Sequence, residues 1–314
     1  MAHHRLAPSP ETTRWGTFSA DYPPVLTVES GDTVTLECVS GGPDMLPPAS
    51  LGFTVHPQLP RIHAANGART GGVHILTGPV AVRGAEPGDM LEVGIERVEL
   101  GADWGFCAFR PLAGTLPEDF PHRFVSHIAV DRERRVGRLP WGGELPLAPF
   151  FGVMGVAPKP EYGAISTKEP REHGGNLDNK ELGEGATLLL PVWVPGGLFS
   201  AGDGHGVQGD GEVCINALET ALTGTFRLTL HKGGGLRFPR AESPTHHITM
   251  GLNEDLDLAM KQALREMIGL ICARTRLTRD EAYQFCSLAV DFHVTQTVNG
   301  EKGIHGMLRK GLLF

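Results

Sequence analysis

The chain has 314 residues, 40% hydrophobic and 20% charged, with a formal net charge of -8; this is the composition of an ordinary folded globular protein and excludes a disordered chain. The acidic balance, with no basic run to reverse it, excludes a nonspecific nucleic-acid binder. No apolar segment approaches the roughly 18 to 20 residues of a membrane-crossing helix, and the N-terminal MAHHRLAPSPETTRW lacks the apolar centre of a signal peptide, so the expected location is the cytoplasm. Cys38, Cys107, Cys214, Cys272 and Cys286 are dispersed and form no CxxC pair, which indicates reduced thiols and no disulfide framework. The 42 glycines and 24 prolines call for many turns, as in a β-rich fold.

Two similar hairpins are expected in the N-terminal half. In the first, 24–39, Leu26 and Val28 alternate with polar residues, Gly31-Asp32 turns, and Val34, Leu36 and Cys38 share a face. In the second, 79–100, Val80 and Val82 precede a turn at Pro87-Gly88-Asp89, and Leu91, Val93 and Ile95 share a face. Residues 101–175 read as loops with short strands, in which Phe106, Phe109, Phe120, Phe150 and Phe151 need burial. Strands resume at 187–194 and 213–230, the latter bending near Gly224. A helix follows, capped by Asn253, with Leu256, Met260, Leu264, Met267 and Ile271 on one stripe. Thr278-Arg-Asp-Glu281 is a capping box for a second helix, to about Ala289. The strand DFHVTQTVNG and the segment GIHGMLRK close a small C-terminal α/β unit.

The chemistry concentrates between His173 and Glu219. GDGHGVQGDGE, 202–212, sets Asp203, His205, Asp210 and Glu212 among glycines. Glycine lets a backbone turn sharply and approach a ligand closely, and Asp, Glu and His together suit zinc or a harder divalent ion. In an extended backbone Asp203 and His205 share a side, as do Asp210 and Glu212. Asp178 precedes the next strand and can reach the same place, Gln208 can orient a ligand, and His74 is a further candidate ligand. By strand parity Glu219 opposes Glu212 unless a bulge intervenes. Turn chemistry alone also gathers Asp and Gly, so a structural calcium loop or a non-catalytic small-ligand-binding β-sandwich competes with a catalytic site. No G-x-S-x-G elbow is present. A Cys214, Lys180 and glutamate set of the nitrilase kind is a second rival, weakened because Cys214 reads as a buried strand thiol. His246, His247 and His305 are weaker candidates.

The segments PVLTVESGDTVTLE, HILTGPVAVRGAEPGDMLEV, PFFGVMGVAP, HGGNLDNKEL, LLLPVWVPGGLFSAGDGHGVQGDGEVCINALET and VTQTVNGEKGIHGML resemble the acetamidase/formamidase family, in order, from about Pro24 to Leu308. The resemblance implies one catalytic unit over 1–314, with a β-rich part over 1–165, site-bearing strands and loops over 166–240, and an α/β part over 241–314. It implies a mainly β architecture, a jelly-roll-like β-sandwich with additional β structure. It further implies hydrolysis of short aliphatic amides by a metal-associated homo-oligomer, with dimers as the basic unit. Carried over to this chain, the site draws on Asp178, Asp203, His205 and Glu212. With these residues the expected mechanism is metal-assisted: Asp178, Asp203 and His205 hold the ion, zinc being the expected metal, and Glu212 is the general base, with the ligand and base roles of Glu212 and Asp203 open to exchange. Phe150, Phe151 and Trp193 are expected to wall the pocket.

Overall fold

The computed structural model describes residues 1–65 and 71–313. It is mainly β, with 41% strand and 16% helix. Among the described residues, eighteen strands join one largely antiparallel network. Its centre is the strand Glu219–His231, which runs antiparallel to Asp32–Cys38 on one side and to the long strand Met90–Phe109 on the other. Inward alternation along these strands buries Leu36, Val93, Ile95, Leu222, Phe226 and Leu228 almost completely. Phe226 meets Phe151 and Phe199 edge-on, with ring centroids 5.3 and 5.5 Å away. A Cβ at Gly224 would lie 2.5 Å from both the Phe151 and Phe226 rings, so only glycine lets the rings close over this strand.

The two expected hairpins do not form, although their turns do. Leu26–Val28 leaves its turn to pair in parallel with Ile75–Val82, while Asp32–Cys38 lies between His3–Leu6 and Glu219–His231. Met90–Phe109 likewise pairs with Thr187–Pro191 and Glu219–His231. Alternation tells which side chains turn inward; it does not tell which backbone supplies the hydrogen bonds. Residues 101–109 are no loop but the continuation of the long strand. Phe106, Phe150 and Phe151 are buried, whereas Phe120 stays 46% exposed and meets Phe109 edge-on at the surface. The strand expected from 213 begins only at Glu219, and 213–214 form a turn. Register shifts flank Gly224.

The C-terminal part has the expected helices, Leu256–Arg274 and Arg279–Ala289. The first is capped by Asp255, whose side chain accepts from the Leu258 amide, and not by Asn253, which bonds the Asp255 amide instead. The Thr278/Glu281 capping box closes the second reciprocally. Both helices lie beside the strands His246–Asn253, Val290–Gln296 and Lys302–Arg309, and Met267 and Ile271 are fully buried against them. Among the described residues, no helix is long and apolar enough to cross a membrane.

Truncating the central aromatic tests this account of the core. Phe226→Ala should lose about 3–5 kcal/mol of unfolding free energy, measured by denaturant unfolding. A loss below about 1 kcal/mol would mean that the site collapses freely and that the aromatic cluster is not the packing centre.

A buried carboxylate and imidazole centre

The site forms where strand ends meet. Phe150–Gly155 pairs with Gly174–Asn176 on one edge and with Phe199–His205 on the other. Phe199–His205 also pairs with Ile75–Val82 and, at His205, with Glu219. Asp178 follows the Gly174–Asn176 strand, its amide donating to Gly152 O at 3.1 Å. Asp203 and His205 come from one strand, Glu219 opens the next, and Glu212 sits in the turn between them. All five are between 1% and 8% exposed.

Their polar atoms converge on His205. From its Nε2, Asp203 Oδ2 lies at 3.2 Å, Glu219 Oε1 at 3.4 Å and Asp178 Oδ1 at 3.7 Å. Asp178, Asp203 and His205 form one compact group of ligand-type atoms, and His205, Glu212 and Glu219 another. His74 Nε2 reaches Asp203 Oδ2 at 3.7 Å, and its Nδ1 is held by Thr167 Oγ1 at 3.0 Å. Among the described residues, three buried atoms of this group, Asp178 Oδ1, His205 Nε2 and Glu212 Oε2, have no hydrogen-bond partner. Buried polar atoms are normally satisfied, so these three are open to a ligand.

Asp178, Asp203 and Glu212 share another property. Their φ angles are 45°, 56° and 44°, in the left-handed region that side chains other than glycine seldom adopt. Asp203 and His205 therefore meet without the extended backbone expected between them. The parity argument against Glu219 fails for the same reason: Glu212 is in a turn, outside any strand, and the register is not carried through to Glu219. Asp210 departs from Glu212, pairing with Lys180 at 3.0 Å and His293 at 3.4 Å.

Gln208 is engaged with the protein itself. Its Nε2 donates to Asp178 O at 2.7 Å, which leaves its Oε1 to accept from His205 Nδ1 at 2.9 Å. This bond keeps a proton on His205 Nδ1 and turns Nε2 toward the carboxylates, the orientation of a metal-ligating imidazole. Phe150 packs edge-on against His205, with centroids 5.0 Å apart. Phe151 belongs to the core and Trp193 stacks under Lys159, so neither walls the site. A cavity of about 370 Å³ reaches Asp203, Glu219 and His74 from the surface, walled by Ile75 and Phe106. His247 pairs with Glu242, and His305 bonds Thr295, both apart from this group.

Three contributors escaped the motif reading. Glu219 was set aside by parity. Gly152 floors the site: a Cβ there would lie 2.4 Å from Asp178 Oδ1, 2.6 Å from Asp203 Oδ2 and 2.8 Å from His205 Cε1. Asn299 donates its Nδ2 to Asp178 Oδ2. Gly152 and Asn299 lie in PFFGVMGVAP and VTQTVNGEKGIHGML, so the signal was present without a role attached.

The titration of the group is collective. Burial raises Glu212 well above the usual glutamate range, and Asp178 pushes it further. Burial also raises Glu219, and Asp203 adds to this against the pull of His205. Asp178 is raised by burial, with His205 opposing. Burial would raise Asp203 too, but the imidazoles of His74 and His205 outweigh it and hold this carboxyl low. Burial disfavours charge on His205, yet Glu219 and Asp203 raise it well above the ordinary imidazole value. Protons thus serve as the counter-charge of the cluster, and a cation would replace them.

The fold and the site together define a β-rich protein with a buried carboxylate and imidazole centre suited to a cation. The chain belongs to the acetamidase/formamidase family, whose model matches residues 7–165 and 161–302. A formamidase of Methylophilus methylotrophus is 30% identical over 271 residues, 68% of this chain and 63% of that protein. An acetamidase of Mycolicibacterium smegmatis is 26% identical over 220 residues, 51% of this chain and 54% of that protein. The chain thus spans less than two thirds of the length of these curated relatives. The solved acetamidase of Bacillus halodurans superposes with a TM-score of 0.84 at 31% identity, covering 97% of each chain. A recombinant predicted acetamidase/formamidase of Thermoanaerobacter tengcongensis superposes at 0.85 and 26% identity, covering 100% of this chain and 98% of that one.

Two outcomes follow from this geometry. Gly152→Ala should weaken divalent-cation binding about 10- to 100-fold while leaving the circular dichroism spectrum intact; unchanged affinity would place the cation elsewhere. Because Glu212 and Glu219 hold protons above the ordinary glutamate range, cation binding should release protons and tighten as pH rises. Calorimetry in buffers of different ionisation enthalpy reads this directly, and binding with no net proton release contradicts the protonation scheme.

Proposed function

We propose that this protein hydrolyses short aliphatic amides, of the size of formamide or acetamide, to a carboxylate and ammonia. The supporting observation is the convergence of Asp178, Asp203, His205, Glu212 and Glu219, of which Asp203 and Glu219 line a small cavity, in a chain of this family. The donor set fits a divalent ion: carboxylates and one imidazole, three unpartnered buried atoms, and a floor without a Cβ. Asp178, Asp203 and His205 would hold it. The mixed imidazole and carboxylate set favours zinc over calcium. A divalent ion there supplies Lewis acidity, which polarises an amide carbonyl and acidifies water.

The chain's own groups do the rest. Among the described residues Glu212 Oε2 has no competing partner; once the proton that burial holds on it has been displaced by a bound cation, the carboxylate takes a proton from the attacking water and returns it to the leaving nitrogen. Glu219 is fixed at the cavity wall: its Oε1 accepts from Asn216 Nδ2 and from the Ala217 amide, both at 3.1 Å. There it excludes bulk water and orients the amide nitrogen. Gln208 and Asn299 keep His205 and Asp178 in place. The thiol rival is not favoured, because Lys180 is engaged with Asp210 and Cys214 lies against Cys107.

Ammonia release should be seen with formamide, acetamide or propionamide and fall with chain length. Exhaustive chelation should abolish it and added zinc restore it. Glu212→Gln should lower kcat by at least about 10²-fold with cation binding retained. Full turnover in verified metal-free protein, or by Glu212→Gln, rejects the scheme.

A further inference from the structure

Cys107 lies in the strand Met90–Phe109, and Cys214 lies in the turn two residues after Glu212. Although 107 positions separate them, their Sγ atoms are 3.5 Å apart. Both are free thiols and both are partly buried. They converge on one acceptor, Asn216 O, at 3.8 Å from Cys107 and 3.5 Å from Cys214. The neighbouring Val213 is 62% exposed, so this turn meets solvent. A disulfide needs its sulfurs about 2.05 Å apart, and here they already face each other with no side chain between them.

The turn that carries Cys214 supports both site glutamates. Glu212 is held at a φ of 44° on its first side. On the other side, Asn216 and Ala217 hold Glu219 Oε1. The 110–116 segment grips the turn through the Thr115 amide, which donates to Val213 O at 2.8 Å. Closing the sulfur separation by more than an ångström, roughly the difference between thiol contact and a bond, pulls on the turn that carries both glutamates.

We propose that Cys107 and Cys214 are an oxidisable dithiol, and that its conversion to a disulfide disarms the adjacent carboxylate centre. The oxidant is a small-molecule disulfide. One cysteine thiolate attacks it, forming a mixed disulfide and releasing one thiol. The other cysteine then displaces the second thiol and closes the Cys107–Cys214 bond. The protein loses two protons and two electrons, and the oxidant gains them as two thiols. The effect on turnover rests on the amidase reading, whereas the bond itself does not.

The test uses oxidised glutathione on the reduced, cation-loaded protein. Peptide mapping should show a Cys107–Cys214 linkage, and intact mass should fall by two hydrogens. Turnover should drop about tenfold or more, as a misplaced catalytic group implies, and dithiothreitol should restore it. Cys107→Ala, with Cys107→Ser in case the first variant folds poorly, should keep the starting turnover and lose its sensitivity to the oxidant. Absence of the linkage, or a complete linkage with unchanged turnover, overturns the proposal. If the reduced protein releases ammonia from no amide, the amidase reading fails. The dithiol is then judged by divalent-cation affinity, which must fall about tenfold on oxidation.

Discussion

Four carboxyl groups packed around one imidazole, away from water, are the constraint on which the rest of this structure depends. Like charges that close repel strongly in a medium of low dielectric, and an uncompensated buried carboxylate is costly. The surroundings answer this group by group. His74 and His205 stabilise the charge on Asp203, Asn299 donates to Asp178, and backbone and amide donors bind Glu219. Burial and mutual repulsion keep protons on the glutamates. Such a collection is a poor device for stability and a good one for capturing a cation.

Holding the group together strains the backbone. Asp178, Asp203 and Glu212 each occupy left-handed conformations, at about 1–3 kcal/mol apiece. The neighbouring sheet over-determines them. Asp178 is tied to Gly152 O, and Asp203 lies inside a strand paired on both edges. Glu212 follows Gly211, whose amide donates to Thr295 O while its carbonyl accepts from the Thr297 amide. The β-rich body thus presents the acids, and the C-terminal part locks them. Asn299, Thr295 and Thr297 all come from the segment after the second long helix. A lesion in that segment reaches the site without touching a charged residue.

Much of this was legible beforehand, for identifiable reasons. The helix 279–289 was legible because a capping box is a local arrangement of four residues. The buried face of the 256–274 helix followed from helical spacing, although the cap moved from Asn253 to Asp255. The acids of GDGHGVQGDGE stood out because glycines surround them. Other inferences failed where they needed information from afar. Alternation marked the inward faces of 24–39 and 79–100 but not their partners, and neither hairpin formed. Parity separated Glu212 from Glu219 on the premise of one continuous strand, and that strand starts only at Glu219. Cys214, read as a strand thiol, lies in a turn against Cys107.

By itself, the amino-acid sequence determined the β-rich class, the C-terminal helices, the family and most of the acidic and imidazole residues that gather. Each depends on residue identity or on neighbours within a turn or two. Tertiary structure alone decided that Glu219 joins Glu212, that Asp210 leaves it, that Gly152 is the floor, and that Gln208 sets the face of His205. Those outcomes depend on the register between strands far apart in the chain, and a shift of one residue would send each side chain to the opposite face.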